Sequence, residues 1–377
     1  MGVALTQTSW LIDPGVAYLN HGGYGALPRP VAEAASAWRA EVEANPSDVF
    51  MRRWPSLVAD VRRAVADLLC AEEADLVFVP NATAGTATVL ASLGLTSGDE
   101  VVTTDHRYPA VASQVGVLKE RGVRVVETPI PLDVDSAGAI VDAITANVTP
   151  RTKLVVVDHI ASPTGFLFPV AEVVAAAHAA GVPVLVDGAH APGQIPVDLR
   201  SIGADFWVGN LHKWVCSPRA CAALLVAPSW QDRIRPVIPS SDYFDGFQPA
   251  FDWTGTADPM PLLTIPAALE FWAGLGWDAV RRFQHELVTS GAELVAARIG
   301  THMPVADEFT AAMRLVELPT LLDRDAGIAL AEQMLLEHKV MAHVTHHQDT
   351  SYVRVCGQLY NVPEHYERLA DALLALL

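Results

Sequence analysis

From about residue 60 to 230, short β-branched runs alternate with alanine-rich stretches. LVFVP (76–80) precedes ATAGTATVLASLG, EVVTT (100–104) precedes VASQVGVLKERG, and LVVVDHI (154–160) precedes VAEVVAAAHAAG. PVLVDGA (183–189) and ADFWVG (204–209) continue the series. Apolar runs without polar interruption predict strands covered on both faces, and their alternation with helices predicts βαβ units in a mostly parallel sheet. Ligands then gather at the carboxyl ends of the strands.

Past about residue 255 the pattern changes. Helical LLTIPAALEFWAGLG and VRRFQHELVTSGAELVAARIG are followed by short strands in FTAAMRLVELP and SYVRVCG, then by a final helix in EHYERLADALLALL. The fold class expected is α/β: a large domain with a mostly parallel sheet covered by helices, and a smaller α+β C-terminal domain. The divisions expected are 1–20 as an N-terminal segment packing with the small domain, 21–255 as the large domain and 256–377 as the small one. The proline-rich stretch 232–261 is too long for a routine connector and is expected near the active site.

Composition narrows the function. In 377 residues, 51% are hydrophobic and 18% charged, as in an ordinary compact protein with a sizeable core. The net charge of −18, with four lysines and no basic stripe, argues against nucleic acid or an anionic membrane as partner. The four cysteines, Cys70, Cys216, Cys221 and Cys356, form no CxxC pair and read as reduced thiols. The start MGVALTQTSWLIDPG lacks the basic and apolar regions of a signal peptide, and no uncharged apolar run reaches a membrane-spanning length. MGVALT fits the short myristoylation pattern, but no second membrane signal accompanies it. The expectation is a cytoplasmic enzyme acting on a small molecule.

Polar residues cluster where the predicted strands end. PNATAG (80–85) opens a helix, where the N–H groups of Thr83 and Ala84 could hold a phosphate, although an Asn or Thr N-cap explains the same residues. TTDHRYPA sets His106 and Tyr108 after the next strand. DHIASPTG and VDGAHAPG follow two more, and Asp187, directly after PVLV, needs a cationic or donor partner if buried. In GNLHKW a lysine, Lys213, ends another strand, whereas Lys119 and Lys339 read as solvated helix positions and Lys153 precedes a strand. A buried aspartate, a strand-end lysine and a phosphate-ready helix start fit pyridoxal 5'-phosphate. The lysine forms a Schiff base with its aldehyde, and the aspartate keeps its ring nitrogen protonated. HVTHHQD (343–349) raises a metal hydrolase, but its spacing matches no ligand pattern and it reads as a solvated loop, so no metal is expected.

With these motifs in hand, the chain resembles the fold type I pyridoxal phosphate enzymes, in particular the isopenicillin N epimerase-like branch of the class V aminotransferases. YLNHGGYGALP, NATAG, TDHRY, SPTG, VDGAHAPG, GNLHKW, WTGTADP and Arg354 in SYVRVCGQLYN carry the resemblance over nearly the whole chain. It implies that Lys213 binds the cofactor, Asp187 pairs with the pyridine nitrogen, His190 lies near the phenolic oxygen and His106 stacks on the ring. It further implies that Thr83, Ala84, Asn210 and His212 hold the phosphate, with Gly255 and Thr256 reaching it across a homodimer interface. Arg354 would clamp an amino-acid substrate's α-carboxylate, and Asn20, His21 and Tyr24 would border that substrate.

The fold alone does not choose the reaction. Related desulfurases carry a nucleophilic cysteine shortly before the carboxylate-binding arginine, and HKVMAHVTHHQDTSYVR has none. The leading expectation is β-elimination from an S-substituted cysteine, with Lys213 taking the Cα proton and Tyr108 or a nearby histidine as acid. Epimerisation, which requires a second acid–base group among Tyr108, His21 and Tyr24, is the main alternative. Oxygen-dependent decarboxylation with oxidative deamination of an S-cysteinyl conjugate is another, since branch members act on such conjugates in natural-product pathways. A non-catalytic binding protein would not need Lys213, Asp187 and Arg354 together.

Overall fold

The computed structural model describes residues 9–377, so MGVALT and the first part of the 1–20 segment lie outside it. Twelve strands are defined among the described residues. They are β1 (Ala17–Tyr18), β2 (Leu76–Val79), β3 (Glu100–Thr104), β4 (Arg124–Thr128), β5 (Thr152–Asp158), β6 (Val184–Asp187), β7 (Phe206–Asn210), β8 (Ala222–Val226), β9 (Met313–Glu317), β10 (Val340–Met341), β11 (His343–His347) and β12 (Thr350–Cys356). A seven-stranded sheet runs β2-β8-β7-β6-β5-β3-β4, and only β8 is antiparallel to its neighbours.

The pleat divides the strands between two cores. Val155 and Val157 of β5 and Trp207 of β7 join one apolar layer, while Leu154, Val156, Phe206 and Val208 join the other. Each buried aliphatic side chain contributes about 1.5–3 kcal/mol, so a one-residue slip would be costly. Because β2, β5, β6 and β7 run the same way, Asn81, Asp158, Asp187 and Asn210 come to one edge of the sheet.

The C-terminal region builds a three-stranded antiparallel sheet, β11-β12-β9, backed by the helices Trp277–Ile299, Arg324–His338 and Pro363–Leu376. β1 pairs with β10, tying the N-terminal segment to this region. Three expectations change. HVTHH is strand β11, held by β12, rather than a solvated loop. Lys153 lies within β5. The 232–261 stretch folds a short helix, Phe247–Asp252, against β2, and none of its residues lines the cavity described next.

Candidate active site

A cavity of about 300 Å3 lies at the carboxyl edge of the large sheet, walled by Thr83, Tyr108, Asp187, His190, Asn210, His212 and Lys213 among others. Lys213 follows β7 by three residues and is only 8% exposed. Its Nζ lies 2.9 Å from Nε2 of His190, whose Nδ1 accepts the indole N–H of Trp214 at 3.4 Å. Indole nitrogen only donates, so the imidazole proton belongs on Nε2, facing the amine. Burial above all holds the Lys213 ammonium down to about 8 and also lowers His190, on which the Lys213 charge acts in the same direction. Both shifts favour the neutral forms: His190 is neutral, and Lys213 loses its proton far more readily than a free lysine, although below about pH 8 most of it stays charged.

Asp187, 4% exposed, ends β6 and receives the Ala189 N–H on Oδ1 at 3.0 Å. Its neighbour in register is Asp158 of β5, which also lines the cavity. Burial raises both carboxyls, and the charge of Asp187 pushes Asp158 further. Lys213 steadies a charge on either carboxylate, but Asp158 carries the larger upward shift, from burial and then the Asp187 charge, so the proton of the pair rests on Asp158. Asp158 was visible in the sequence only as the start of DHIASPTG. Its importance comes from standing beside Asp187 across two strands.

At the far end, Asn81 caps the helix Ala82–Ser92 by accepting the Ala84 N–H at 2.9 Å, and Asn210 accepts the Ala82 N–H at 2.9 Å. Capping therefore occupies Ala84, which does not line the cavity, and leaves Thr83 on the wall with Asn210 and His212. His212 is held down to about 4, chiefly by burial, and its Nδ1–H faces the Cys221 carbonyl oxygen at 3.3 Å, so Nε2 would donate to a phosphate only on taking up a second proton, which the phosphate charge favours.

Arg354 on β12 is buried, donates to the Ser162 carbonyl oxygen and to Asn20 Oδ1, and leaves its Nε without a partner. No carboxylate among the described residues pairs with this guanidinium. It stands just behind the wall at Ser162, and an acidic ligand would supply the missing charge.

Several expected residues stand elsewhere. His106 is fully buried between Thr164 Oγ1 (2.8 Å) and the Ile130 carbonyl (2.8 Å), packed edge-on against Phe166 and Phe168. It cannot stack on a ring in this cavity; Tyr108, two residues on, reaches the wall instead. His21 spends its nitrogens on Tyr360 and on the Lys213 carbonyl, so it supports the lysine rather than facing substrate. Asn20 holds Arg354, and of the three residues Asn20, His21 and Tyr24 only Tyr24 lines the cavity. Gly255 and Thr256 lie on an exposed segment beside a separate aromatic pocket that includes Phe50, Trp54 and Trp253. Arg219, not singled out from sequence, lines the cavity mouth.

The fold and this polar edge define a fold type I pyridoxal phosphate enzyme. Residues 17–364 match the class-V aminotransferase model, and the chain belongs to that family. It is 31% identical to isopenicillin N epimerase of Streptomyces clavuligerus, over 97% of this chain and 96% of that protein. It is 30% identical to an L-cysteine desulfhydrase of Arabidopsis thaliana, over 96% of this chain and 88% of that one. In fold it is similar to a cysteine desulfurase from Thermococcus onnurineus, with a TM-score of 0.82, 20% identity and coverage of 98% and 97% of the two chains. A cystine C–S lyase in complex with cysteine persulfide also has a TM-score of 0.82, at 22% identity and 96% and 97% coverage. Pyridoxal phosphate is the cofactor, and the cavity fits it: a buried carboxylate, a low-pKa lysine amine and a capped helix start share one wall. No helix among the described residues is long and apolar enough to cross a membrane.

Proposed function

We propose that this enzyme catalyses β-elimination from an S-substituted cysteine. The observation that carries the proposal is the cavity wall: among the described residues Lys213 is its only amine, His21 is turned away from it, and Tyr108 stands on it as an acid for a departing thiolate. Elimination needs one base at Cα and a leaving group able to depart as thiolate, whereas epimerisation needs acid–base groups on both faces of the carbanion.

When bound, pyridoxal phosphate supplies the electron sink that labilises bonds at Cα. Asp187 would hold the ring nitrogen protonated, His190 would donate to the phenolic oxygen, and Thr83, Asn210 and His212 would hold the phosphate. Arg354 would take the α-carboxylate, with Asn20 and Ser162 fixing its guanidinium. Tyr108 would cover the ring in the place expected for His106. Lys213, as a neutral amine, would remove the Cα proton; the Cβ–S bond then breaks, the thiolate takes a proton from Tyr108 or solvent, and the unsaturated amino acid is hydrolysed to pyruvate and ammonia. Domain divisions at residues 20 and 255 would leave this site between the edge of the large sheet and Arg354 of the small one. The exposed position of Gly255 and Thr256 supports a homodimer in which they complete the partner's phosphate site.

The test is incubation of the holoenzyme with S-alkyl and S-aryl cysteines. Equal amounts of thiol and pyruvate are expected. Cα deuterium exchange with inverted configuration and no pyruvate would instead establish an epimerase, and oxygen uptake with carbon dioxide release would establish oxidative decarboxylation.

A further inference from the structure

Outside the cavity, three side chains from distant parts of the sequence converge. Asp105 and His106 follow β3, and His347 ends β11 of the small sheet. One ligand atom from each lies within 4.8 Å of the other two. Nε2 of His106 is 3.8 Å from Asp105 Oδ1, and Nε2 of His347 is 3.7 Å from Asp105 Oδ2. Both Nε2 atoms also approach the Ile130 carbonyl oxygen, at 2.8 and 3.3 Å.

We propose that Asp105, His106 and His347, with the Ile130 carbonyl, form a binding site for a divalent transition-metal ion, zinc by preference. Two imidazoles, one carboxylate and one carbonyl are a four-donor set suited to zinc, and imidazole disfavours magnesium and calcium. Tetrahedral zinc with bonds of about 2.1 Å separates its ligands by roughly 3.4 Å, and the donor spacings here of 2.8, 3.3, 3.7 and 3.8 Å bracket that value, so binding would need modest side-chain shifts. Outer contacts already orient the donors. The His106 Nε2–H faces the Ile130 carbonyl oxygen; metal binding would move the ring proton to Nδ1, where the Thr164 hydroxyl, 2.8 Å away, can accept it. The Ile130 N–H holds Asp105 Oδ1 at 2.9 Å, and Gln348 Nε2 reaches Oδ2 at 3.3 Å. A cavity of about 370 Å3 lined by His347 and Gln348 offers an entry path from solvent.

The site would join the loop after β3 to the small sheet. Tyr108 stands two residues from His106 on the wall of the active-site cavity, so metal binding would also fix the backbone from which that tyrosine projects.

The holoenzyme, stripped with a chelator, is titrated with zinc by calorimetry and with cobalt by visible absorbance. One equivalent per chain is expected, with cobalt bands of a four-coordinate site and a raised melting temperature. His347→Ala and Asp105→Asn should weaken zinc binding by at least about tenfold, with cofactor content unchanged, while His178→Ala retains it. Thr164→Val, which keeps all four donors, should weaken it less. Zinc-edge anomalous scattering from wild-type crystals should place one peak among the four donor atoms. Failure of the wild type to bind, affinity unchanged in His347→Ala, or an anomalous peak elsewhere would overturn the assignment, whatever the outcome of the elimination assay.

Discussion

Nζ of Lys213 lies 2.9 Å from Nε2 of His190, and the proton between them belongs to the histidine because Trp214 donates to the other ring nitrogen. With the ammonium held down to about 8 by burial, the amine is mostly neutral above that pH and mostly charged below it. The rate at which cofactor-free enzyme captures pyridoxal phosphate should therefore plateau above pH 8 and fall about tenfold per unit below it. Trp214→Phe keeps the ring but frees Nδ1, letting His190 turn an acceptor toward the lysine. The inflection should then move up by roughly one unit, about 1.4 kcal/mol. Stopped-flow absorbance across a pH series decides this, and an unmoved inflection would refute the tautomer assignment.

Asp158 and Asp187 are neighbours in register, yet they should respond differently to the same substitution. The proton rests on Asp158, so Asp158→Asn replaces one neutral group with another of nearly the same shape, and kcat should change less than about threefold. Asp187→Asn removes the negative charge opposed to the ring nitrogen and should lower kcat by more than about 100-fold. Similar losses in both variants would mean that Asp158 carries charge.

Arg354 holds only a carbonyl and an amide oxygen, with its Nε unpartnered. A carboxylate on this guanidinium is worth about 1.5–3 kcal/mol, so Arg354→Ala should raise KM for amino-acid substrates by about ten- to 100-fold. Arg354→Lys should recover only part of this, because a lysine cannot present the planar fork. Equal KM across wild type and variants would remove the role.

Gly25 has a φ of +70°, and a Cβ there would run into the His212 carbonyl oxygen and lie 3.0 Å from that of Lys213. Gly25→Ala should cost about 2 kcal/mol of stability and push the lysine backbone out of place. Thermal unfolding would show a lower melting temperature, and absorbance would show weakened cofactor retention. The second glycine of the HGGYG run, Gly23, tests the alternative: its φ is ordinary and its near neighbour is the Asn20 side chain, so Gly23→Ala should be milder.

Local pattern carried much of the architecture. EVVTT became β3 without a change of boundary, and LVVVD and PVLVD became β5 and β6, because doubly covered strands leave uninterrupted apolar runs. β4 was not legible: RVVET has two charged residues and an exposed pattern at the sheet edge. HVTHH was misread as a loop because its polar residues hide a strand whose pairing comes entirely from β12.

The sequence by itself determined the class of chemistry, since a lysine and an aspartate at strand ends are costly unless they face a common ligand, and strand direction brings strand ends together. Only the tertiary structure decided which neighbours share the cavity. His106 and Tyr108 are two residues apart on one loop, yet the first turns into an aromatic pocket and the second to the cavity wall. Asn20 and His21 read as substrate contacts until their partners, Arg354 and the Lys213 carbonyl, were seen to occupy them. Side-chain direction in a loop is set by packing against segments hundreds of residues away, and no local periodicity records it.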